Sequence, residues 1–188
     1  MQLKNILDIC ADNEIEKFEY TLLKGSVDTD VTGIASDSRK VTDGGIFVCI
    51  VGAVSDGHKY IGQIKDKAAA IVVQKGSDYE VPSGDVTLIE CDNTRLALAL
   101  MSAAFYGNPD KKLFTIGITG TKGKTTTTYM IKNVLCACGI KTGLIGTIET
   151  VIGDETIPSC NTTPESLQIH ETFRKMVDAG CKAVVMEV

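Results

Sequence analysis

Residues 113–139 constrain this chain more than any other stretch. Leu113 to Ile118 is a short apolar run. Gly120-Thr121-Lys122-Gly123-Lys124-Thr125 follows, and Lys124 to Cys138 reads as a helix closed by Gly139. A strand, a glycine turn and a helix opening on Gly-Lys-Thr together form a phosphate cradle. The loop N–H groups and the helix N-terminus, worth about +0.5 of a charge, converge on one anion. Gly120 and Gly123 let the backbone approach phosphate oxygens, and Lys124 supplies the catalytic charge for the β and γ phosphates. The Thr125 hydroxyl is placed for Mg²⁺. The expected cofactors are ATP and Mg²⁺, with ATP held by Gly120, Thr121, Lys122, Gly123, Lys124, Thr125 and Thr126. The loop is shorter than the common form, which keeps four residues between its outer glycine and the Gly-Lys pair. Ile118 stands where that glycine would be.

At 188 residues the chain has room for one large domain or two small ones. No apolar run approaches the ~20 residues of a membrane span. Charges scattered from Met1 to Tyr20 leave no apolar centre for a signal peptide. The expectation is a cytoplasmic protein without membrane insertion. A net charge of −5 with no Lys/Arg block argues against a nucleic-acid partner. The cysteines at 10, 49, 91, 136, 138, 160 and 181 form no C-x-x-C pair, so neither a zinc site nor a disulfide framework is indicated.

Apolar periodicity predicts a helix over Leu3–Cys10, strands over Val31–Ala35, Ile46–Val51, Ala69–Val73 and Val86–Cys91, and helices over Lys59–Lys67 and Thr94–Tyr106, the last behind an Asn93 cap. The polar, turn-forming stretch 107–112 marks a boundary between domains at 1–107 and 113–188. Beyond the loop helix, a strand is predicted over Thr142–Thr147 and a hairpin over Ile148–Ile157. A helix is expected from Thr163 as N-cap and Pro164 as first residue to Ala179, and a last strand over Ala183–Val188. The fold class is α/β: a small N-terminal α/β domain, then a phosphate-loop domain on a mostly parallel sheet. Three strong strands are few for such a domain, and the chain stops on one of them. It is read here as part of a longer protein.

Three further segments, together with the loop, resemble one family. Ser36-Asp37-Ser38-Arg39, Gly44-Gly45-Ile46-Phe47-Val48, and Gly52 with Asp56-Gly57-His58-Lys59-Tyr60-Ile61 are similar to the N-terminal domain of the Mur ligases. The likeness is strongest to the UDP-N-acetylmuramoyl-tripeptide synthetase (MurE-type) branch. Asn161-Thr162-Thr163-Pro164-Glu165 resembles that family's substrate-contacting segment, and Met186-Glu187-Val188 the start of its Met-Glu-Val-Ser-Ser stretch.

The resemblance implies an ATP-dependent amide ligase of peptidoglycan precursor synthesis. Such a ligase joins a diamino acid, meso-diaminopimelate or L-lysine, to UDP-N-acetylmuramoyl-L-alanyl-D-glutamate through an acyl phosphate. It implies substrate contacts at Ser36, Ser38, Ala53, Val54, Ser55, Asn161, Thr162 and Thr163, and metal contacts at Thr125 and Glu187. Residues 1–107 would hold the UDP substrate and 113–188 part of the central ATP domain, inactive alone. Lys122 departs from the family's usual Asn, and everything after Met-Glu-Val, including the segment that selects the amino acid, lies outside the sequence. Plainer roles compete: turn capping for Ser36 and Ser38, an ion pair for Arg39, helix capping for Thr163, a frayed terminal charge for Glu187. His58 and His170 are expected at the surface or at helix ends. The alternative function is a non-catalytic module binding a UDP-sugar; a folylpolyglutamate-synthetase-like ligase is disfavoured by the Asp37-Ser38-Arg39 domain ahead of the loop.

Overall fold

The computed structural model describes every residue except 14–15, 53–54 and 160–161, in two compact units, Met1–Phe105 and Tyr106–Val188. Both are α/β. The first holds α1 (Leu3–Ala11), β1 (Tyr20–Lys24), β2 (Ile34–Ala35), β3 (Gly45–Val48), α2 (Ile61–Ile64), β4 (Ala68–Gln74), β5 (Thr87–Cys91) and α3 (Thr94–Phe105). Its sheet runs β1-β5-β4-β3-β2. The four strands β2 to β5 are parallel, and β1 lies antiparallel on the β5 edge. The apolar runs of β3 and β4 are buried on both faces, as a parallel sheet between helices requires. Asn93 caps α3, its Oδ1 accepting from the backbone N–H groups of Arg95 and Leu96 at 3.1 Å.

Several expectations for this unit are corrected. The strand expected over Val31–Ala35 is only two residues long, because the Val31 and Thr32 N–H groups are taken by the carbonyls of Met1 and Gly44 instead. The helix expected over Lys59–Lys67 is a 3₁₀ turn, Gly57–Tyr60, followed by the single α turn α2. β1 was not legible at all: its residues are mostly exposed and its partner lies some seventy positions away. His58 is not at the surface. Its side chain is buried, Nδ1 lies 2.6 Å from Asp56 Oδ1, and Nε2 accepts the Gln74 N–H at 3.0 Å. With Nε2 an acceptor, the proton sits on Nδ1, and His58 ties the turn after β3 to the end of β4.

The second unit holds β6 (Phe114–Ile118), α4 (Lys124–Ala137), β7 (Thr142–Ile145), β8 (Glu149–Ile152), β9 (Glu155–Pro158), α5 (Ser166–Asp178) and β10 (Ala183–Glu187). Its sheet order is β6-β10-β7-β8-β9. β10 runs parallel to both β6 and β7, while β8 and β9 turn back antiparallel. Successive side chains alternate across the sheet. Ile145, Val184 and Met186 therefore join Phe173 and Met176 of α5 in one core. Glu187 falls on the opposite face, toward the N-terminus of α4.

α5 begins at Ser166, not at a Thr163 cap. The chain is still extended at Glu165 (φ −65°, ψ 155°). The Thr163 hydroxyl instead donates to the Glu187 carbonyl at 3.2 Å, so a tertiary bond takes the group that the local capping rule assigned.

Candidate active site

The site of the second unit begins where β6 ends. Gly120 (φ 151°) and Gly123 (φ 79°) take backbone conformations that side-chain-bearing residues avoid, which turns the chain sharply into α4. Gly123 is the left-handed N-cap of that fourteen-residue helix. The first bond back onto it is Thr127 N–H to Gly123 O at 2.9 Å, so the N–H groups of Lys124, Thr125 and Thr126 carry no intrahelical partner. No residue of the helix's own first turn is acidic, so the positive end of the dipole is open to anions from elsewhere in the fold. Thr121, Lys122, Gly123 and Thr126 are exposed beside it. Lys124 lies back over the loop, its Nζ donating to the Gly120 carbonyl at 3.0 Å.

Three segments meet at Glu187. Its side chain is 1% exposed, and the last register pair of β10 with β6 sets it level with Ile118, where the loop departs. Thr125 donates its hydroxyl to Glu187 Oε2 at 3.1 Å. Thr147, in the turn after β7, gives its N–H to Oε1 at 2.9 Å, and its hydroxyl lies 3.1 Å from Oε2. The Thr147 hydroxyl is also 3.2 Å from that of Thr162, and Thr163 bonds the Glu187 carbonyl. The fit is close: a Cβ built on Gly146 would lie 2.9 Å from Glu187 Oε1. No basic side chain pairs with Glu187 among the described residues. A buried carboxylate held by neutral donors and touching the hydroxyl at a phosphate-loop helix start is a hard-oxygen donor set, which fits a small divalent cation beside bound phosphates.

Of the residues picked out from sequence, Thr125, Thr162, Thr163 and Glu187 come together here, and Gly120 to Thr126 form the adjoining loop. Thr147 was missed. It lies outside every motif, and the strand expected over Thr142–Thr147 would end on it, whereas the strand stops at Ile145 and Thr147 enters the turn. Asn161 lies outside the described residues.

In the first unit, Ser36 and Ser38 are half-buried just past β2, and their hydroxyls make no hydrogen bond to any described residue. Asp37 between them accepts the Arg39 N–H at 3.0 Å, capping the 3₁₀ turn Ser38–Lys40. It also takes a two-point contact from the Arg39 guanidinium at 2.9 and 2.7 Å. Those hydrogen bonds hold the Asp37 carboxyl down to about 2. Ser55 Oγ lies 3.1 Å from the Tyr60 hydroxyl. Ala53 and Val54 fall outside the described residues.

Two family profiles match the chain: "Mur ligase family, catalytic domain" over residues 30–106 and "Mur ligase middle domain" over residues 118–188. The UDP-N-acetylmuramoyl-L-alanyl-D-glutamate–2,6-diaminopimelate ligase of Clostridium tetani is 45% identical over 189 residues, taking in 100% of this chain and 37% of that protein. Its counterpart from Bacillus licheniformis is 50% identical over 165 residues, 87% of this chain and 33% of that protein. The chain thus spans about a third of the length of the curated relatives it matches. Among solved structures, a UDP-N-acetylmuramoyl-L-alanyl-D-glutamate–2,6-diaminopimelate ligase superposes with a TM-score of 0.67 at 19% identity, over 100% of this chain and 36% of that one. The MurF ligase of Thermotoga maritima in complex with ADP gives 0.51 at 22% identity, over 82% of this chain and 31% of that one. At these identities the solved structures speak for the fold alone.

Proposed function

The chain belongs to the Mur ligase family, and from that premise we propose that it supplies the UDP-substrate and nucleotide sides of an ATP-dependent amide ligase. The acceptor is UDP-N-acetylmuramoyl-L-alanyl-D-glutamate and the amino acid 2,6-diaminopimelate, after the names of relatives 45% and 50% identical to it. The observation that carries the reading is Glu187, buried against Thr125 at the mouth of a glycine loop and paired with no basic side chain among the described residues.

In this reading residues 1–107 hold the UDP substrate through Ser36, Ser38, Ala53, Val54 and Ser55, and 113–188 hold ATP. The loop amides of Gly120 to Thr126 cradle the phosphates, and Lys124 leaves the Gly120 carbonyl to neutralise the β and γ oxygens. Mg²⁺, held by Thr125 and Glu187, supplies further neutralisation of the charge spread over the transferring phosphoryl group. Asn161, Thr162 and Thr163 place the acceptor peptide. The D-glutamyl carboxylate takes the γ-phosphoryl group and ADP leaves. The incoming amine then adds to the acyl carbon, loses a proton, and inorganic phosphate departs as the amide forms. A cytoplasmic location belongs to the same proposal.

Calorimetric titration of the purified chain with Mg-ATP and, separately, with UDP-N-acetylmuramoyl-L-alanyl-D-glutamate tests it. Saturable binding of both is expected. Failure of Mg-ATP to bind overturns the assignment of the loop, and failure of the UDP ligand overturns that of the first unit.

A further inference from the structure

Glu187 is held by Thr147, and Thr147 sits in a turn that needs holding in its turn. β7 and β8 pair antiparallel through Leu144↔Val151 and Ile145↔Thr150. The next rung is Gly146 N–H to Glu149 O at 3.1 Å, which leaves Thr147 and Ile148 as a two-residue tip. Thr147 N–H points out of this tip into the Glu187 carboxylate. Ile148 is 62% exposed, so apolar packing does little to anchor the tip; its carbonyl accepts the Ser159 N–H at 3.0 Å, which ties the tip to the end of β9 but not to α4. One side-chain bond crosses from α4 to the foot of the turn: the Tyr129 hydroxyl donates to Glu149 Oε1 at 2.8 Å. Tyr129 stands one helical turn beyond Thr125, so the helix that presents one Glu187 donor also braces the strand that follows the turn presenting the other two.

We propose that Tyr129 and Glu149 are a positioning pair for the cation carboxylate, fixing the Gly146–Glu149 turn so that Thr147 holds Glu187 in place. The inference rests on the Mg-nucleotide reading of the site. Neither residue touches the nucleotide or the cation in this assignment; both act through Thr147. The phenol fits the role electrically. Partial burial, the hydrogen bond to Glu149 and the negative charges of Glu149 and Glu187 raise it to about 12, so it remains a neutral donor throughout the physiological range.

The test uses three variants of the full chain. Tyr129→Phe and Glu149→Ala each remove the bond, while Glu149→Gln keeps an acceptor for the phenol and discards only the charge. Partners that orient a metal ligand cost about 10–100-fold in metal affinity when removed, and this pair acts one contact further out, so about 10-fold is expected. The Mg²⁺ concentration that half-saturates ATP binding should rise by that factor in Tyr129→Phe and Glu149→Ala, and stay within about twofold in Glu149→Gln. ATP affinity in EDTA should stay unchanged in all three.

A ligand-free readout accompanies it. Hydrogen exchange at the Gly146 and Thr147 amides should speed up in Tyr129→Phe and Glu149→Ala but not in Glu149→Gln, with melting temperatures confirming that each variant is folded. Unchanged half-saturation and exchange in folded Tyr129→Phe and Glu149→Ala overturn the pair, as does a Glu149→Gln that behaves like Glu149→Ala. A wild-type chain showing no Mg²⁺-dependent ATP binding overturns the reading of the site itself, and the exchange result then still decides whether the pair holds the turn.

Discussion

Replacing Glu187 with Gln separates what its carboxylate does for the fold from the cation-binding role proposed for it. Glu187 is 1% exposed and receives Thr147 N–H, Thr147 O–H and Thr125 O–H. Burying a carboxylate costs several kcal/mol, and hydrogen bonds to a charged acceptor return about 1.5–3 kcal/mol each. The two nearly cancel. Gln at the same place remains satisfiable: its Oε1 goes on accepting the Thr147 N–H, while its Nε2 donates to the two hydroxyls, which turn from donors into acceptors. The bonds weaken to about 0.5–1.5 kcal/mol each, and the desolvation cost falls to about 1–3 kcal/mol. Both opposing terms shrink together, so ligand-free stability should move by about 1 kcal/mol or less.

The cation responds differently, because Mg²⁺ selects hard, charged oxygen and an amide offers little. At Mg-ATP one hundred times its Kd, binding stabilises the folded wild type by about 2.7 kcal/mol. At roughly 4–8 °C per kcal/mol for a small domain, that is a rise in Tm of roughly 10–20 °C. Thermal unfolding with and without Mg-ATP, and with EDTA as control, should show that rise in the wild type and a much smaller one in Glu187→Gln. The ligand-free melting temperatures of the two should agree within a few degrees. Equal Mg-ATP shifts in both proteins would refute the assignment of Glu187 to the cation. A ligand-free collapse of Glu187→Gln would refute the energetic argument, by making the charge a requirement of the fold.

Lys124→Ala should weaken ATP binding by about 10–100-fold, the loss of one charge-assisted contact, and calorimetry showing wild-type affinity would remove the lysine from the site. Lys122→Asn should leave Mg-ATP affinity within about twofold, since Lys122 is exposed and makes no hydrogen bond or ion pair to any described residue; a larger loss in the same titration would give Lys122 a phosphate contact. His170, on α5, is held below its ordinary 6.5 by burial, only partly offset by Asp110 at 3.9 Å. Its fold therefore prefers the neutral ring: that contribution is complete above about pH 6.5 and is lost as pH falls through the lowered value. Urea midpoints of the wild type should decline on that acid side, and His170→Gln should flatten the decline; identical pH profiles would refute it.

What the sequence yielded cleanly was local. The glycine spacing at 120 and 123 and the period of Lys124–Cys138 gave the loop and helix to within a residue. Asn93 announced α3 because an N-cap acts on its own next turn. What stayed hidden depended on partners far along the chain. β1 is mostly exposed and carries no alternation of its own, His58 finds Gln74 across a turn and a strand, and Thr163 meets the capping rule yet spends its hydroxyl on the Glu187 carbonyl. Thr147 is the sharpest case. Nothing around it distinguishes it from any threonine after a strand until β10 is known to lie beside β7.

That placement is what turns scattered residues into a site. β10 enters the sheet between β6 and β7, so its last paired residue arrives level with the point where β6 releases the glycine loop, while the turn after β7 closes in from the other side. Alternation then leaves only two choices for Glu187: toward α4 and the loop, or into the core under α5 with Val184 and Met186. A slip of β10 by one residue would bury the carboxylate among Phe173 and Met176 and present Met186 to the phosphate loop. The apolar demand of the α5 face therefore fixes the register, and the register aims the carboxylate. The placement of Glu187 at this end of the sheet is held by hydrophobic packing on the opposite face, the one covered by α5.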